Sequence, residues 1–244
     1  MNILKTSLFG IVPFLKGTSE ARPLYVNRSC IAKTFREKGV EVLAGEEVAY
    51  FSTHRGKHVL KTRSKREVRA EGIIAGIGIE PNLDLAIAAG LKVRKGIVVD
   101  KYLTTSHANI YAAGDVAEFY NPALHKRLRV EHEDNANRMG RQAGRNMAGA
   151  SEPYHHLPFF YSDLFDLGYE AVGQLDSHLK TVADWAEPFK KGIVYYLKGD
   201  RVRGVLLWNV KDKVSAAREL IAQPGPFEVK DLKSKNGPAW KIGF

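Results

Sequence analysis

The sequence predicts an α/β region followed by a small α+β domain. Strand-like and helix-like segments alternate between residues 31 and 152, which is typical of α/β proteins. After residue 152, strand-like segments follow one another at turn signals, which is typical of an antiparallel sheet. The 244 residues are 44% hydrophobic and 26% charged, a composition that suits a globular protein with a substantial core.

The chain divides into three parts on this basis. Residues 1–30 show no sustained period of two or 3.6 and receive no fold assignment; they contain the turn-forming residues Gly10, Pro13, Gly17 and Pro23. Residues 31–152 form the α/β region. Residues 153–244 form the α+β domain.

The α/β region begins with a short helix end at residues 34–38, which Gly39 stops. A strand at 40–43 and a hairpin-like meander at 46–53 and 57–63 come next. Residues 71–79 (EGIIAGIGI) are a continuous apolar run, as expected for a strand that is buried on both faces. The region continues with a helix at 83–89 that ends before Gly90, and with strands at 96–100 and 109–113.

A longer helix is predicted within residues 130–149 (VEHEDNANRMGRQAGRNMAG). Small residues recur along one side of it and are expected to permit close backbone approach. The stripe consists of Ala136, Gly140, Ala143 and Gly144, with Met147 at its end. The α+β domain has five predicted strands, at residues 159–162, 169–173, 181–185, 193–197 and 202–208, and a helix at 212–222.

The net charge of +10 is concentrated in one place. Seven basic residues between positions 55 and 69 face a single acidic one, Glu67. A strip for nucleic acid or phosphate is one interpretation. A solvated hairpin edge is the other, and we favour it because no aromatic residue interleaves the basic ones to stack bases.

Several classes of chemistry are excluded at this stage. A single cysteine, Cys30, cannot form an internal disulfide, a thiolate zinc site or an iron-sulfur cluster. The sequence has no G-x-S-x-G, Walker or H-E-x-x-H motif. His54 and His58 flank a turn glycine, so we expect no metal site, and His155-His156 is interpreted as a linker feature. No segment is long and apolar enough to span a membrane, and we expect a cytoplasmic protein.

The strongest local signal is the eleven-residue segment from Thr105 to Asp115 (TSHANIYAAGD). In an open α/β sheet the carboxyl ends of strands form the ligand crevice. Gly114 lets a ligand pass close to the backbone, and Asp115 is able to accept hydrogen bonds from polyol hydroxyls. Taken alone, Gly-Asp is an ordinary turn dipeptide.

This segment resembles the second flavin fingerprint of flavoproteins with two dinucleotide-binding folds. From about residue 36 to residue 222 the chain resembles the later half of an FAD-dependent pyridine nucleotide-disulfide oxidoreductase, of the ferredoxin reductase and apoptosis-inducing factor branch. Three further motifs occur in the family's order, at residues 77–82 (IGIEPN), 130–134 (VEHED) and 159–163 (FFYSD). The resemblance implies a partial FAD/NAD(P)-binding region of two-dinucleotide fold, followed by a C-terminal reductase domain of the dimerisation type.

The resemblance also implies roles for particular residues. The helix that begins near Glu131 would offer its N-terminus to the flavin ring, and His132 would donate to that ring. Phe160 and Tyr161 would lie beside the flavin or the nicotinamide. Each has an ordinary structural interpretation as well, His132 as a capping or core residue and the two aromatics as core. Glu80 would contact the nicotinamide or its ribose, or else bond local N–H groups.

One departure from the family pattern bears on function. No G-x-G-x-x-G occurs in the sequence, so neither phosphate-cradling loop of the family is present. The chain therefore resembles a truncated reductase or one partner of a split enzyme, with weak FAD affinity when isolated.

The resemblance thus implies an FAD-dependent NAD(P)H oxidoreductase, as a subunit or a truncated form. A hydride would pass from NAD(P)H to FAD, and electrons would then pass to a ferredoxin-like protein or a quinone. A complementing N-terminal subunit and a homodimer are further expected partners, whereas nucleic acid is not. The alternative is a non-catalytic interaction or dimerisation module derived from such a reductase, in which the basic strip at residues 55–69 could bind nucleic acid.

Overall fold

A computed structural model describes residues 9–10, 28–76, 78–176 and 178–233 of the chain. Residues 1–79 and 80–244 form two compact units, and each is considered by itself. Most of the unassigned segment 1–30 lies outside the described residues. The boundary predicted near residue 152 falls inside the second unit and stays a prediction.

The first unit contains a helix and two small sheets. Helix α1 (Arg28–Glu37) ends before Gly39, whose φ of +85° suits the left-handed residue that closes a helix. Strand β1 (Phe9–Gly10) pairs in parallel with β2 (Glu41–Val42). Strands β3 (Val48–His54), β4 (Lys57–Thr62) and β5 (Glu67–Ala70) form an antiparallel meander. The predicted hairpin is confirmed, whereas β5 was not predicted.

The strand expected at residues 71–79 is absent from the described residues of this segment. Ile74 is 98% exposed and Ile79 is 66% exposed, so the prediction of a buried strand was wrong. A strand of this kind needs hydrogen-bonded neighbours on its edges and packed layers on both faces. The sheet formed by β3, β4 and β5 does not include this segment and supplies neither.

The second unit begins with helix α2 (Asp84–Ala88), after which Gly90 has a φ of +69°. Strand β6 (Ile97–Val98) pairs in parallel with β7 (Ala117–Asn121), and β7 pairs antiparallel with β8 (Lys126–Arg129). The strand expected at residues 109–113 was wrong. That stretch makes a single bridge, between Thr104 and Tyr111, and a 3-10 turn (Gly114–Val116) separates it from β7.

Helix α3 (Glu133–Met147) confirms the predicted long helix. Its Met139 is fully buried and its Ala143 is nearly so, which fixes the face that packs on the sheet. The small-residue stripe is only partly involved in packing. A Cβ added at Gly140 or Gly144 would meet nothing within 4 Å, so these glycines do not mediate a close backbone approach among the described residues.

The remaining residues form an antiparallel sheet in the order β11-β12-β13-β10-β9, which confirms the predicted α+β domain. Helix α4 (Val214–Ala222) packs against β10 and β13, and a short helix α5 (Val229–Leu232) follows. The strands are β9 (Phe159–Leu164), β10 (Leu167–Gly173), β11 (Lys180–Glu187), β12 (Lys191–Lys198) and β13 (Arg201–Trp208).

Two hydrophobic clusters make up the core of the second unit. One lies between the five-stranded sheet and α4 and contains Tyr195, Val205 and Ile221. The other lies between β7 and α3 and contains Phe119 and Met139. Leu128 of β8 packs against both clusters, so the two are continuous in this unit. In the described parts of the chain, no helix is both long enough and apolar enough to cross a membrane.

Candidate functional site

The Gly114–Asp115 turn lies against the side of helix α3. Ala113 is extended, Gly114 adopts a φ of +78°, and the backbone then enters the 3-10 turn. The Gly114 amide lies 3.2 Å from the Met139 sulfur, and a Cβ added at Gly114 would lie 3.6 Å from that of Ala136. The Asp115 side chain is exposed, and its carboxylate makes no ion pair with another described residue. The turn therefore presents a free carboxylate beside the helix.

His132 is the N-cap of α3. Its backbone is extended (φ −159°, ψ 143°), and its Nδ1 accepts a hydrogen bond of 3.3 Å from the Asp134 amide. Because Nδ1 acts as an acceptor, the proton of the neutral ring resides on Nε2. Glu133 and Asp134 occupy the first turn of α3, where negative charge interacts favourably with the helix dipole. The ordinary interpretation of His132 as a capping residue is thus confirmed, and Nε2 is left as its donor.

Arg129 joins the turn to the start of the helix. Its Nη1 donates to the Asp115 carbonyl at 2.9 Å, and its Nη2 lies 2.6 Å from Glu131 Oε1. No sequence motif pointed to Arg129. Positions 129 and 131 are two apart on an extended chain and so lie on the same side, and this spacing was the signal for the pair. No spacing in the sequence predicts the contact between Arg129 and Asp115.

The rings of Phe159, Phe160 and Tyr161 surround His132. Their centroids lie 5.7, 5.4 and 5.2 Å from that of the imidazole, the last two in edge-to-face geometry. Tyr161 is 52% exposed, whereas Phe159 and Phe160 are half-buried. The structure therefore brings three of the predicted site residues together, namely His132, Phe160 and Tyr161.

Glu80 does not join this group in the structure. It is exposed in the segment before α2, and its carboxylate makes no hydrogen bond or ion pair with any other residue that the structure describes. The alternative of an acid bonded to local N–H groups is therefore not observed either. Its predicted contact with a nicotinamide cofactor stays a prediction.

A partly buried polar network lies beside the start of α3. His156 Nε2 is hydrogen bonded to Asp134 Oδ2, and Arg218 Nη2 of α4 lies 3.3 Å from the same oxygen. Arg138 Nε donates to Asp134 Oδ1 at 2.9 Å, and Arg218 Nε donates to the Leu157 carbonyl at 2.9 Å. The interpretation of His156 as a linker feature was therefore wrong, because its carboxylate partner is 22 residues away in sequence.

The environment of this network shifts the pKa values of its members. Burial lowers the pKa of His156, and this effect exceeds the opposing hydrogen bond to Asp134. Burial opposes ionisation of Asp134, but hydrogen bonds from His156 and Arg138 outweigh it and lower the pKa of that carboxyl. Burial also raises the pKa of the neighbouring Tyr154 phenol. The network thus holds a carboxylate and a neutral imidazole together at neutral pH.

Four of the seven basic residues in the 55–69 strip are ion-paired. Lys61 lies 3.7 Å and Arg69 lies 2.9 Å from the Glu67 carboxylate. Arg63 lies 3.2 Å from Glu47, and Arg66 pairs with Glu41. These exposed pairs support the interpretation of a solvated hairpin edge.

Two family models match this combination of an α/β region and a small antiparallel C-terminal domain. The model of the pyridine nucleotide-disulphide oxidoreductases matches residues 22–140. The model of the C-terminal domain of mitochondrion-associated apoptosis-inducing factor matches residues 143–188 and 184–223. The chain thus carries the pyridine nucleotide-disulphide oxidoreductase domain followed by the C-terminal domain of apoptosis-inducing factor, and its relatives are apoptosis-inducing factors and ferredoxin reductases.

Individual relatives agree with this assignment. The chain is 30% identical to a putative mitochondrial apoptosis-inducing factor 1 of Drosophila melanogaster, over 86% of this chain and 35% of that protein. It is 30% identical to putidaredoxin reductase CamA of Pseudomonas putida, over 85% of this chain and 50% of that protein. The chain thus spans from about a third to a half of the length of these relatives.

A solved structure confirms the fold. The chain superposes on the reductase of the covalent putidaredoxin reductase–putidaredoxin complex with a TM-score of 0.76 and 28% identity. The match covers 85% of this chain and 51% of the other. The predicted fold class, a partial FAD/NAD-binding region with a C-terminal reductase domain, is confirmed by this likeness.

The residues present fit the flavin ring and its polyol chain. The exposed Asp115 carboxylate is an acceptor suited to hydroxyls, and α3 offers the positive end of a 15-residue helix. Arg129 pairs with Glu131 and Arg138 pairs with Asp134, so among the acids at the helix start only Glu133 has no ion pair with a described residue. For the pyrophosphate of the same cofactor, the sequence contains no G-x-G-x-x-G motif.

Proposed function

We propose that this chain forms the flavin-facing part of an FAD-dependent NAD(P)H oxidoreductase of the ferredoxin reductase type. The proposal rests on the contacts of Arg129. Its guanidinium bonds both the Asp115 carbonyl and the Glu131 carboxylate, and so joins the Asp115 turn to the start of α3. Family membership supports the general class of enzyme. The roles of individual residues and the activity of this chain are the proposal.

Each residue has a defined part in this proposal. Asp115 accepts hydrogen bonds from polyol hydroxyls of FAD, and His132 donates from Nε2 toward the ring while Nδ1 caps α3. Phe160 and Tyr161 cover the ring edge and exclude water. When bound, FAD supplies the hydride acceptor for NAD(P)H and releases the electrons one or two at a time. Glu80 orients the nicotinamide by contacting the carboxamide or the ribose of that cofactor.

The acceptor of the electrons is proposed to be a ferredoxin-like protein, with a quinone as the alternative. The solved relative is a complex of a reductase with putidaredoxin, which supports the protein acceptor. We further propose a cytoplasmic location. A homodimer is also proposed, because the chain carries the C-terminal domain expected to be of the dimerisation type.

A complementing polypeptide that supplies the phosphate-cradling loops is proposed as a further partner. Two observations support it, the lack of a G-x-G-x-x-G motif and the large apolar side chains exposed in each unit. Ile74 is 98% exposed in the first unit, and Leu85 is 88% exposed in the second. Such side chains are the type that a partner polypeptide covers.

FAD binding tests the proposal directly. The dissociation constant of FAD is measured by fluorescence titration of the full chain and of Asp115→Asn. The substitution keeps the backbone carbonyl that Arg129 holds and removes only the charge, so the proposal predicts affinity about tenfold weaker. Asp212→Asn, an exposed aspartate after β13 with a φ of +61° that asparagine tolerates, is the control and keeps the affinity.

Two results would contradict the proposal. Equal FAD affinity in the parent and Asp115→Asn would remove Asp115 from the site. Failure to bind FAD, even with a polypeptide that supplies both glycine-rich loops, would favour the alternative of a non-catalytic interaction or dimerisation module.

A further inference from the structure

A concave site in the unit of residues 80–244 is lined by none of the residues assigned to the flavin. It is a cavity of about 380 Å³ where the β7–β8 turn meets the β12–β13 hairpin and the end of β10. Cavities of about this volume are at the small end of the range for small-molecule sites. No lining residue is acidic, and the polar ones are His125, Lys126, Gln174, Lys198, Arg201 and Arg203.

Arg203 is the buried arginine among the residues that line this cavity. Only 7% of the residue is exposed, and its Nη1 donates to the Ala123 carbonyl at 3.2 Å. Its Nη2 donates to the Leu124 carbonyl. Two neutral carbonyls orient the guanidinium but do not balance its charge. Within the described part of the chain, neither Arg203 nor Arg201 has a hydrogen-bond partner for its buried Nε.

Among the described residues, no ion pair balances the charge of Arg201 or Arg203. Burial lowers the pKa of the Arg203 guanidinium, and the neighbouring Arg201 cation lowers it further, with Tyr120 acting weakly in the other direction. A buried cation is costly unless an opposite charge accompanies it. An anion in the cavity would meet both arginines and the ammonium group of Lys198.

The donors match one chemical class of anion. Arginine presents a planar fork of N–H groups that suits phosphate oxygens, and lysine adds point charges. Lys198, Arg201 and Arg203 bring three formal positive charges to the cavity, which exceeds what a single carboxylate would balance. We propose that this cavity binds a small phosphate-type oxyanion with two or more charges, such as pyrophosphate or the terminal phosphates of a nucleotide.

The test uses the full chain and isothermal titration calorimetry with inorganic pyrophosphate at 150 mM salt, where nonspecific charge attraction is screened. Arg201→Gln is the variant of choice, because Arg203 also holds the β7–β8 turn. We expect saturable binding that Arg201→Gln weakens about tenfold, the loss of one charge-assisted contact. Lys198→Gln is expected to weaken it as well, because Lys198 lies at the same wall.

Two control variants separate this cavity from general charge and from the flavin site. Arg141→Gln removes an exposed arginine of α3 and is expected to leave binding unchanged. Asp115→Asn is also expected to leave it unchanged, so this test succeeds or fails independently of the FAD proposal. Titration with AMP, pyrophosphate and inorganic phosphate then distinguishes a nucleotide from a free phosphate anion.

Three outcomes would overturn the proposal. They are the absence of saturable binding by any of these anions, equal binding by the parent and Arg201→Gln, and equal weakening by Arg201→Gln and Arg141→Gln. Binding of an acidic peptide without binding of pyrophosphate would also overturn it, since the cavity would then serve a macromolecular partner.

Discussion

His132 combines two contacts that are usually separate, a helix cap through Nδ1 and ring contacts with Phe160 and Tyr161. The cap satisfies an amide at the start of α3 and fixes which ring nitrogen carries the proton. The ring contacts fix the direction in which the other nitrogen points. A single residue therefore links the geometry of the helix start to that of β9.

Substitution of His132 separates these contributions. We expect His132→Ala to lower the free energy of unfolding by about 1 kcal/mol through loss of the cap, with a further loss from the ring contacts. His132→Asn retains a capping acceptor and is expected to lose only the contribution of the ring contacts. Urea unfolding measures both variants. Equal losses in the two variants would show that the cap contributes nothing measurable.

The network of Asp134, His156 and Arg218 makes stability depend on pH. The pKa of His156 lies below its ordinary value of 6.5 because the ring is buried. As the pH falls, His156 is therefore protonated in the unfolded chain before it is protonated in the folded protein. The contribution of His156 to the free energy of unfolding is highest above pH 6.5, and it is lost as the pH falls through the pKa of the folded state. The pKa of Asp134 is also lowered, so a second loss follows below about pH 4.

His156→Gln is expected to flatten the first of these two changes. The variant has no group that titrates between pH 7 and 5 at this position, so its unfolding free energy changes less over that interval than that of the parent. His155→Gln, at the exposed neighbouring position, is the control and keeps the parent slope. Urea unfolding at pH 5, 6 and 7 provides the measurement. Identical slopes in His156→Gln and the parent would contradict the expectation.

At the scale of elements, glycine matters where one backbone lies against another. A Cβ at Gly96, just before β6, would lie 2.4 Å from the carbonyl oxygen of Val116. Val116 closes the 3-10 turn that carries Asp115. Gly96 thereby sets how closely the turn approaches β6. A Cβ at Gly140 of α3, in contrast, would meet nothing within 4 Å.

The two glycines should respond to alanine in opposite directions. Gly140→Ala is expected to raise the unfolding free energy by about 0.5–1 kcal/mol, because alanine is the better helix former at an open position. Gly96→Ala is expected to lower it by about 1–3 kcal/mol, since the backbone must shift, and to weaken FAD binding through the Asp115 turn. Denaturant unfolding of each variant tests the expectation. A destabilised Gly140→Ala would show that the open face of α3 is covered in solution.

At the scale of the whole molecule, exposed apolar side chains favour association. Ile74 has a 98% exposed side chain in a segment without described helix or strand. Ile74→Ser is expected to reduce concentration-dependent self-association in sedimentation velocity. Its unfolding free energy should change by less than about 0.5 kcal/mol, because the side chain has little burial to lose. A loss larger than about 1 kcal/mol would show that Ile74 is buried in the isolated chain.

Local patterns in the sequence were sufficient for most elements. The hairpin of β3 and β4, the long helix α3 and the five-stranded sheet follow from periodicity and turn residues, which act over a few neighbours. The family followed from motifs in a fixed order. The residues in those motifs include His132, Phe160 and Tyr161, and the fold brings their rings into contact.

The contacts between distant segments were decided by the tertiary structure alone. Apolar composition at 71–79 predicted a buried strand, but burial requires neighbouring strands, and composition does not supply them. Likewise His156 meets Asp134, and Arg129 meets Asp115, across 22 and 14 residues. The cavity around Arg203 joins residues 80 positions apart. Sequence by itself determined elements and family here, because these depend on local spacing, whereas partners of charged groups depend on which surfaces the fold brings together.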